Sequence, residues 1–98
     1  MITEGYLYRF DKRIDLDEAE GTLGVAIWAA EGLHGRDRVR MDAACVVDHV
    51  LHSIVIDAAT AVGEDVAAIF TALLAREFGP CAFQVGRLDL LEDEEDGR

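Results

Sequence analysis

The stretch His52–Gly79, HSIVIDAATAVGEDVAAIFTALLAREFG, decides the fold. Ile54, Val55 and Ile56 are three consecutive β-branched residues, a run that suits a short buried strand. Asp57–Thr60 reads as a turn, and Thr60 is placed to cap the helix that follows. Over that helix Val62, Val66, Ile69, Phe70, Leu73, Leu74 and Phe78 recur at spacings of three and four, the signature of one broad apolar face. Glu64 and Asp65 fall in the first turns, where the helix dipole favours negative charge, and Arg76 falls in the last. Gly79–Pro80 ends it, because glycine accepts the left-handed exit and proline cannot continue the helix.

Outward on the N-terminal side, residues 5–14 (GYLYRFDKRI) alternate. Tyr6, Tyr8 and Phe10 share one face and Leu7, Arg9 and Asp11 the other, so a strand with a buried aromatic side is expected. Asp15 with Glu18 three places on forms a helix-start box. Leu16, Ala19, Leu23, Ala26, Ile27 and Ala30 then make an apolar stripe for a helix reaching about Leu33. A second, thinner stripe of Gly21, Val25, Trp28 and Gly32 offers another backbone a close approach to Trp28, which makes Trp28 a candidate interface residue. Arg38–Asp48 (RVRMDAACVVD) reads as a strand with Val39, Met41, Ala43, Cys45 and Val47 inward. A short link at 48–52 pairs it with the Ile54 strand as a hairpin. Residues 81–88 (CAFQVGRL) supply a last strand, with Phe83 and Val85 inward.

The resulting order, β-α-β-β-α-β, predicts an α+β two-layer sandwich. Its antiparallel sheet runs 4-1-3-2 with both helices on one face, the ferredoxin-like arrangement. Strands two and four would be opposite edges, putting Cys45 and Cys81 roughly 14 Å apart by strand spacing. A disulfide needs Cα atoms within about 7 Å, so none is expected. Residues 1–90 form the single domain, and residues 91–98 are expected to be an acidic disordered tail.

Composition narrows the function. The 98 residues hold twenty acids against nine bases, a net charge of −11. Such a chain lacks the cationic surface that phosphate backbones select, and an anionic membrane would repel it. No nucleic-acid or membrane partner is therefore expected. There is no charged-then-apolar leader and no membrane-length apolar run, and the two cysteines fit no metal spacing. Reduced cysteines and no leader point to the cytoplasm.

The face away from the helices is the place to look for function. Its outward residues include Leu7, Val46, Val55 and Leu88 among polar ones, too apolar for a purely solvated surface. Leu7 and Val46, with Trp28, are the expected interface residues. If the hairpin turns at His49–Val50, Asp42 sits opposite Asp57, with Arg9 and Arg40 as the neutralising cations. Arg9, Arg40, Asp42, Val55 and Asp57 are thus the candidate binding residues, and no residue is put forward as catalytic. The segment HGRDRVR (His34–Arg40) could meet an acidic partner or fold against the chain's own acids. Cys45, His49 and His52 have loosely ligand-like spacing but would not converge, so neither metal nor cofactor is expected. With no CxxC, no Gly-rich phosphate loop and no exposed stacking aromatics, the reading is an interaction domain, not an enzyme. It would be a homo-oligomer or accessory subunit that binds a protein, or itself, through the open sheet face. The alternatives are a small-molecule-binding domain or minor enzyme with a polar site built on the Arg/Asp cluster, and an acidic inhibitor that fills a basic groove on a nucleic-acid-binding protein.

Overall fold

The computed structural model describes residues 2–89; the expected acidic tail lies outside the described residues. The elements are β1 (Glu4–Phe10), α1 (Leu16–His34), α2 (Arg36–Asp42), β2 (Cys45–Asp48), β3 (Ser53–Asp57), α3 (Ala61–Phe78) and β4 (Phe83–Asp89). The four strands form one antiparallel sheet in the order β2-β3-β1-β4. That is the expected order read from the other edge, and the class is α+β.

The helix starts and stops follow from the residues identified in the sequence. The Asp15 carboxylate accepts the backbone N–H of Asp17 at 2.9 Å, and the Thr60 hydroxyl accepts that of Gly63 at 3.0 Å, each occupying an otherwise orphaned donor. Gly35 and Gly79 end α1 and α3 with φ of 87° and 90°, a region that a Cβ disfavours.

The core lies between the helices and one sheet face. Tyr8, Phe10, Ile54 and Ile56 from the sheet meet Leu16, Ala19, Leu23, Ala26 and Ala30 of α1 and Val62, Val66, Phe70 and Leu74 of α3, all buried. The inward phases expected for β1, β3, α1 and α3 are those observed. Val85 shares the inward face with its partner Tyr8 but stays 43 % exposed, because β4 is an edge strand that the helices do not fully cover.

The long second strand is corrected. Residues 36–42 are helix α2, and only Cys45–Asp48 are strand. Val39 and Ala43 stand at a helical i,i+4 spacing as well as an alternating one, so periodicity alone could not separate the two readings. The tie breaks on chemistry. Arg and Met favour helix, and Arg38 donates to Asp42 at 2.8 Å across one turn. Val39 is buried as expected, but Met41 is 83 % exposed.

The hairpin register also differs. Cys45 pairs with Ile56, Val46 with Val55 and Asp48 with Ser53, two residues away from the expected alignment. The turn centres on Val50–Leu51 and not on His49–Val50: Asp48 accepts the N–H groups of Val50 and Leu51, and His52 takes a positive φ of 56° to re-enter the sheet.

Gly63 is required by the turn from β3 into α3. A Cβ there would collide with the Asp57 carbonyl, whereas one at Gly21 on α1 would meet nothing. Gly63→Ala is therefore expected to destabilise the fold by about 1–3 kcal/mol despite alanine's better helix propensity, the cost of forced overpacking. Gly21→Ala should instead stabilise it by up to about 1 kcal/mol. Chemical denaturation of the two variants checks both signs.

Candidate functional site

The register defines what each sheet face presents. On the face away from the helices, Val46, Val55, Leu7 and Gly86 are successive cross-strand neighbours running from one edge of the sheet to the other. Directly paired residues project to the same side. The first three side chains therefore form an apolar ridge across three strands, with Val46 at 53 % exposure. At the fourth strand Gly86 has no side chain and nothing stands where a Cβ would be. A hollow of about 260 Å³ opens there, lined on this face by Leu7, Arg9, Gln84 and Leu88. A parallel row of Asp48, Arg9 and Gln84, with Ser53 buried between Asp48 and Arg9, gives the ridge a polar flank.

The expected Arg/Asp cluster does not come together. Arg40 and Asp42 belong to α2, not to a strand, and the Asp42 carboxylate is taken by Arg38. Asp57 has its N–H bonded to the Ala44 carbonyl, and its side chain accepts the N–H of Ala59, closing the turn into α3. Arg9 pairs with Ser53, four residues along from the Gly5–Asp57 pair, or about 13 Å at strand rise. Of the eight candidates, Leu7, Arg9, Val46, Val55 and Asp57 lie on the open face. Trp28 is on α1, 74 % exposed.

The basic segment is only partly neutralised within the chain. Arg38 pairs with Asp42, and His34 Nε2 donates to Asp65 at 2.6 Å, tying the end of α1 to α3. Arg36 and Arg40 are exposed and have no ion pair among the described residues.

Two features escaped the sequence. The first is a groove of about 350 Å³ between α3 and the uncovered edge strand β4, floored by Tyr6, Tyr8, Ala67, Ala68, Thr71 and Val85. Its rim is closed by the Tyr6 hydroxyl donating to Glu64 at 2.7 Å. Arg87 stacks 4.9 Å over the Tyr6 ring and pairs with Glu4. The Glu64 contact holds the Tyr6 hydroxyl above its ordinary pKa. No paired acid and base or activated nucleophile lines this groove. It arises from how far α3 reaches across the sheet, which no local pattern encodes.

The second is Asp17, Glu20 and His49, whose ligand atoms lie within 4.8 Å of one another. All three are exposed, and their side chains make no hydrogen bond among the described residues that would fix them for a metal. The carboxylates also sit in the first turns of α1, where the helix dipole favours them without a cation. The Cys45, His49 and His52 set is not gathered. Cys45 is partly buried on the helix side, and His52 Nε2 donates to the Ile14 carbonyl at 2.7 Å.

No family model, curated protein or solved structure matches this chain. No helix among the described residues is long and apolar enough to cross a membrane.

The two cysteines differ in reactivity. Burial, with Asp57 nearby, pushes the Cys45 thiol up to about 11, whereas Cys81 is exposed. Alkylation at pH 8 is expected to modify Cys81 rapidly and leave Cys45 thiol intact, since the thiolate is the nucleophile. Peptide mass mapping over time reads the order. The raised Cys45 value also has a sign for stability. The neutral thiol favours the fold below about pH 9, and that contribution fades as pH rises through 11.

Proposed function

We propose that this chain is a non-enzymatic protein-interaction domain that receives a partner protein on its open sheet face. The single observation that carries the reading is the Val46–Val55–Leu7 ridge ending in the Gly86 hollow. A flat solvated sheet face needs neither feature. An apolar ridge beside a vacant depression, flanked by a polar row, has the core-and-rim composition of a docking surface.

The element order and sheet order support a ferredoxin-like sandwich with α2 as an insertion ahead of the second strand. The unpaired thiols of Cys45 and Cys81 support a reducing compartment, the cytoplasm. The net charge of −11 supports a protein partner over nucleic acid or an anionic membrane.

Val46→Glu and Gly86→Val test the face from its two ends. Both positions are exposed and a Cβ at Gly86 meets nothing, so each variant is expected to fold with stability within about 0.5 kcal/mol of the parent. Each should weaken partner binding at least roughly tenfold, the effect of losing a central contact. A photo-crosslinker at position 46 should capture a protein that one at Lys12 does not. Capture insensitive to Gly86→Val, or no capture from position 46, would refute the assignment.

A further inference from the structure

The outer side of α1 is bare in a way that an ordinary solvent-facing helix is not. At 100° per residue, Asp17, Gly21, Gly24, Val25, Trp28 and Gly32 fall within about 100° of arc opposite the buried stripe. Beyond Asp17 this arc carries no charge for four turns. The largest exposed side chain on the helix, Trp28, stands among glycines whose missing Cβ atoms would meet nothing among the described residues. The glycines at 21, 24 and 32 weaken the helix, and no contact within the described residues requires them. They leave room for a second backbone.

The pattern is its own complement. About the midpoint between residues 26 and 27, Val25 is matched by Trp28, Gly24 by Ala29 and Gly21 by Gly32. A two-fold axis there would set each Trp28 against the partner copy's Val25 and ring the pair with small residues, as isologous contacts require.

The charges select the direction. The start of α1 carries Asp17 and Glu20, and its end runs into Arg36 and Arg40, all four exposed and without an ion pair among the described residues. Glu31 in the last turns of α1 and Asp37 beside the arginines offset these two bases, so this end is close to neutral while the start is strongly acidic. Antiparallel pairing brings the acidic start of one helix to Arg36 and Arg40 of the other, whereas parallel pairing stacks the two acidic starts on each other. Both ends also carry exposed apolar residues. Leu33 and Met41 stand at the arginine end, and Val50 and Leu51 stand in the turn whose His49 lies beside Asp17 and Glu20.

We propose that α1 pairs antiparallel with α1 of a second copy about a two-fold axis near residues 26 and 27, Trp28 packing into the glycine-lined face of its partner. A helix of this length offers a strip about 28 Å by 10 Å. The strips alone bury roughly 600 Å² in total, below the ~1,200 Å² of a stable dimer, so the pairing is weak and reversible.

Sedimentation of the full chain from micromolar to millimolar concentration is expected to show the mass rising from 10.7 kDa toward twice that value. Emission from Trp28, the one tryptophan in the sequence, should shift to the blue with the same midpoint. Trp28→Glu and Gly24→Leu should each hold the chain monomeric while circular dichroism shows it folded. Arg36→Glu should raise the dissociation constant about tenfold, and adding Asp17→Arg in the same chain should restore it. A monomer throughout overturns the proposal, as does a dimer indifferent to Trp28→Glu and Gly24→Leu. Dissociation by those two but not by Arg36→Glu overturns the antiparallel arrangement. Dissociation by Val46→Glu instead moves the contact to the sheet face, sinking this pairing while leaving the sheet-face reading standing.

Discussion

The structure depends on the seat of Tyr8 between the two layers. Its ring is fully buried at the centre of β1, edge-on to Phe70 of α3 at a centroid distance of 4.9 Å. A buried phenol must find a partner for its hydroxyl, because leaving one unmet costs about 1–3 kcal/mol. The Tyr8 hydroxyl donates to the Ala67 carbonyl at 3.1 Å and lies 2.8 Å from the Thr71 hydroxyl. Ala67 and Thr71 are one turn apart on α3, and the Thr71 hydroxyl itself donates to the Ala67 carbonyl at 2.8 Å. Tyr8 thus fixes the rotation of α3 over the sheet as well as its distance, and α1 packs into the space left beside it.

This seat explains how much of the fold could be read from the chain. Tyr8 alternates with half-buried Leu7 and exposed Arg9 on β1, and Phe70 belongs to a long 3–4 pattern bounded by Thr60 and Gly79. Each element announces its own buried side, and the two announcements agree. Element order with these faces leaves few ways to assemble one sheet and one helical layer. Residues 36–42 resisted because their one buried side chain, Val39, sits in a segment too short to reveal a period. The hairpin register resisted because it depends on Asp48 holding two loop N–H groups and on His52 accepting a positive φ. A histidine there gives little sequence warning.

The candidate site was legible where it rests on strand phase and illegible where it rests on register. Leu7, Val46 and Val55 needed only the correct inward side of each strand, and they stand on one face. Asp42 opposite Asp57 needed the correct hairpin alignment and a second strand that long. Both assumptions fail, and the carboxylates go to separate local roles. Trp28 was visible as an outlier among glycines, yet its exposure is a tertiary property. It requires knowing that neither a loop nor α2 folds back over α1.

The two bare surfaces lie on opposite sides of a two-layer molecule, so occupying one does not block the other. A chain of net charge −11 repels its own copies, and a self-contact must overcome that repulsion. Screening limits the repulsion to about 8–10 Å at moderate ionic strength, so the groups nearest the contact dominate. On α1 those groups are three acids at its start, Glu31 near its end with Arg36 and Arg40 just past it, and an outer arc without charge between Asp17 and Gly32. That distribution penalises the parallel approach most, because it sets the two acidic starts side by side. The sheet face has no comparable segregation: Arg9 and Asp48 stand within the same polar row. Under the proposed pairing, Arg36 and Arg40, which have no ion pair among the described residues, would orient a copy of the chain at α1, leaving the mixed sheet face for a different shape.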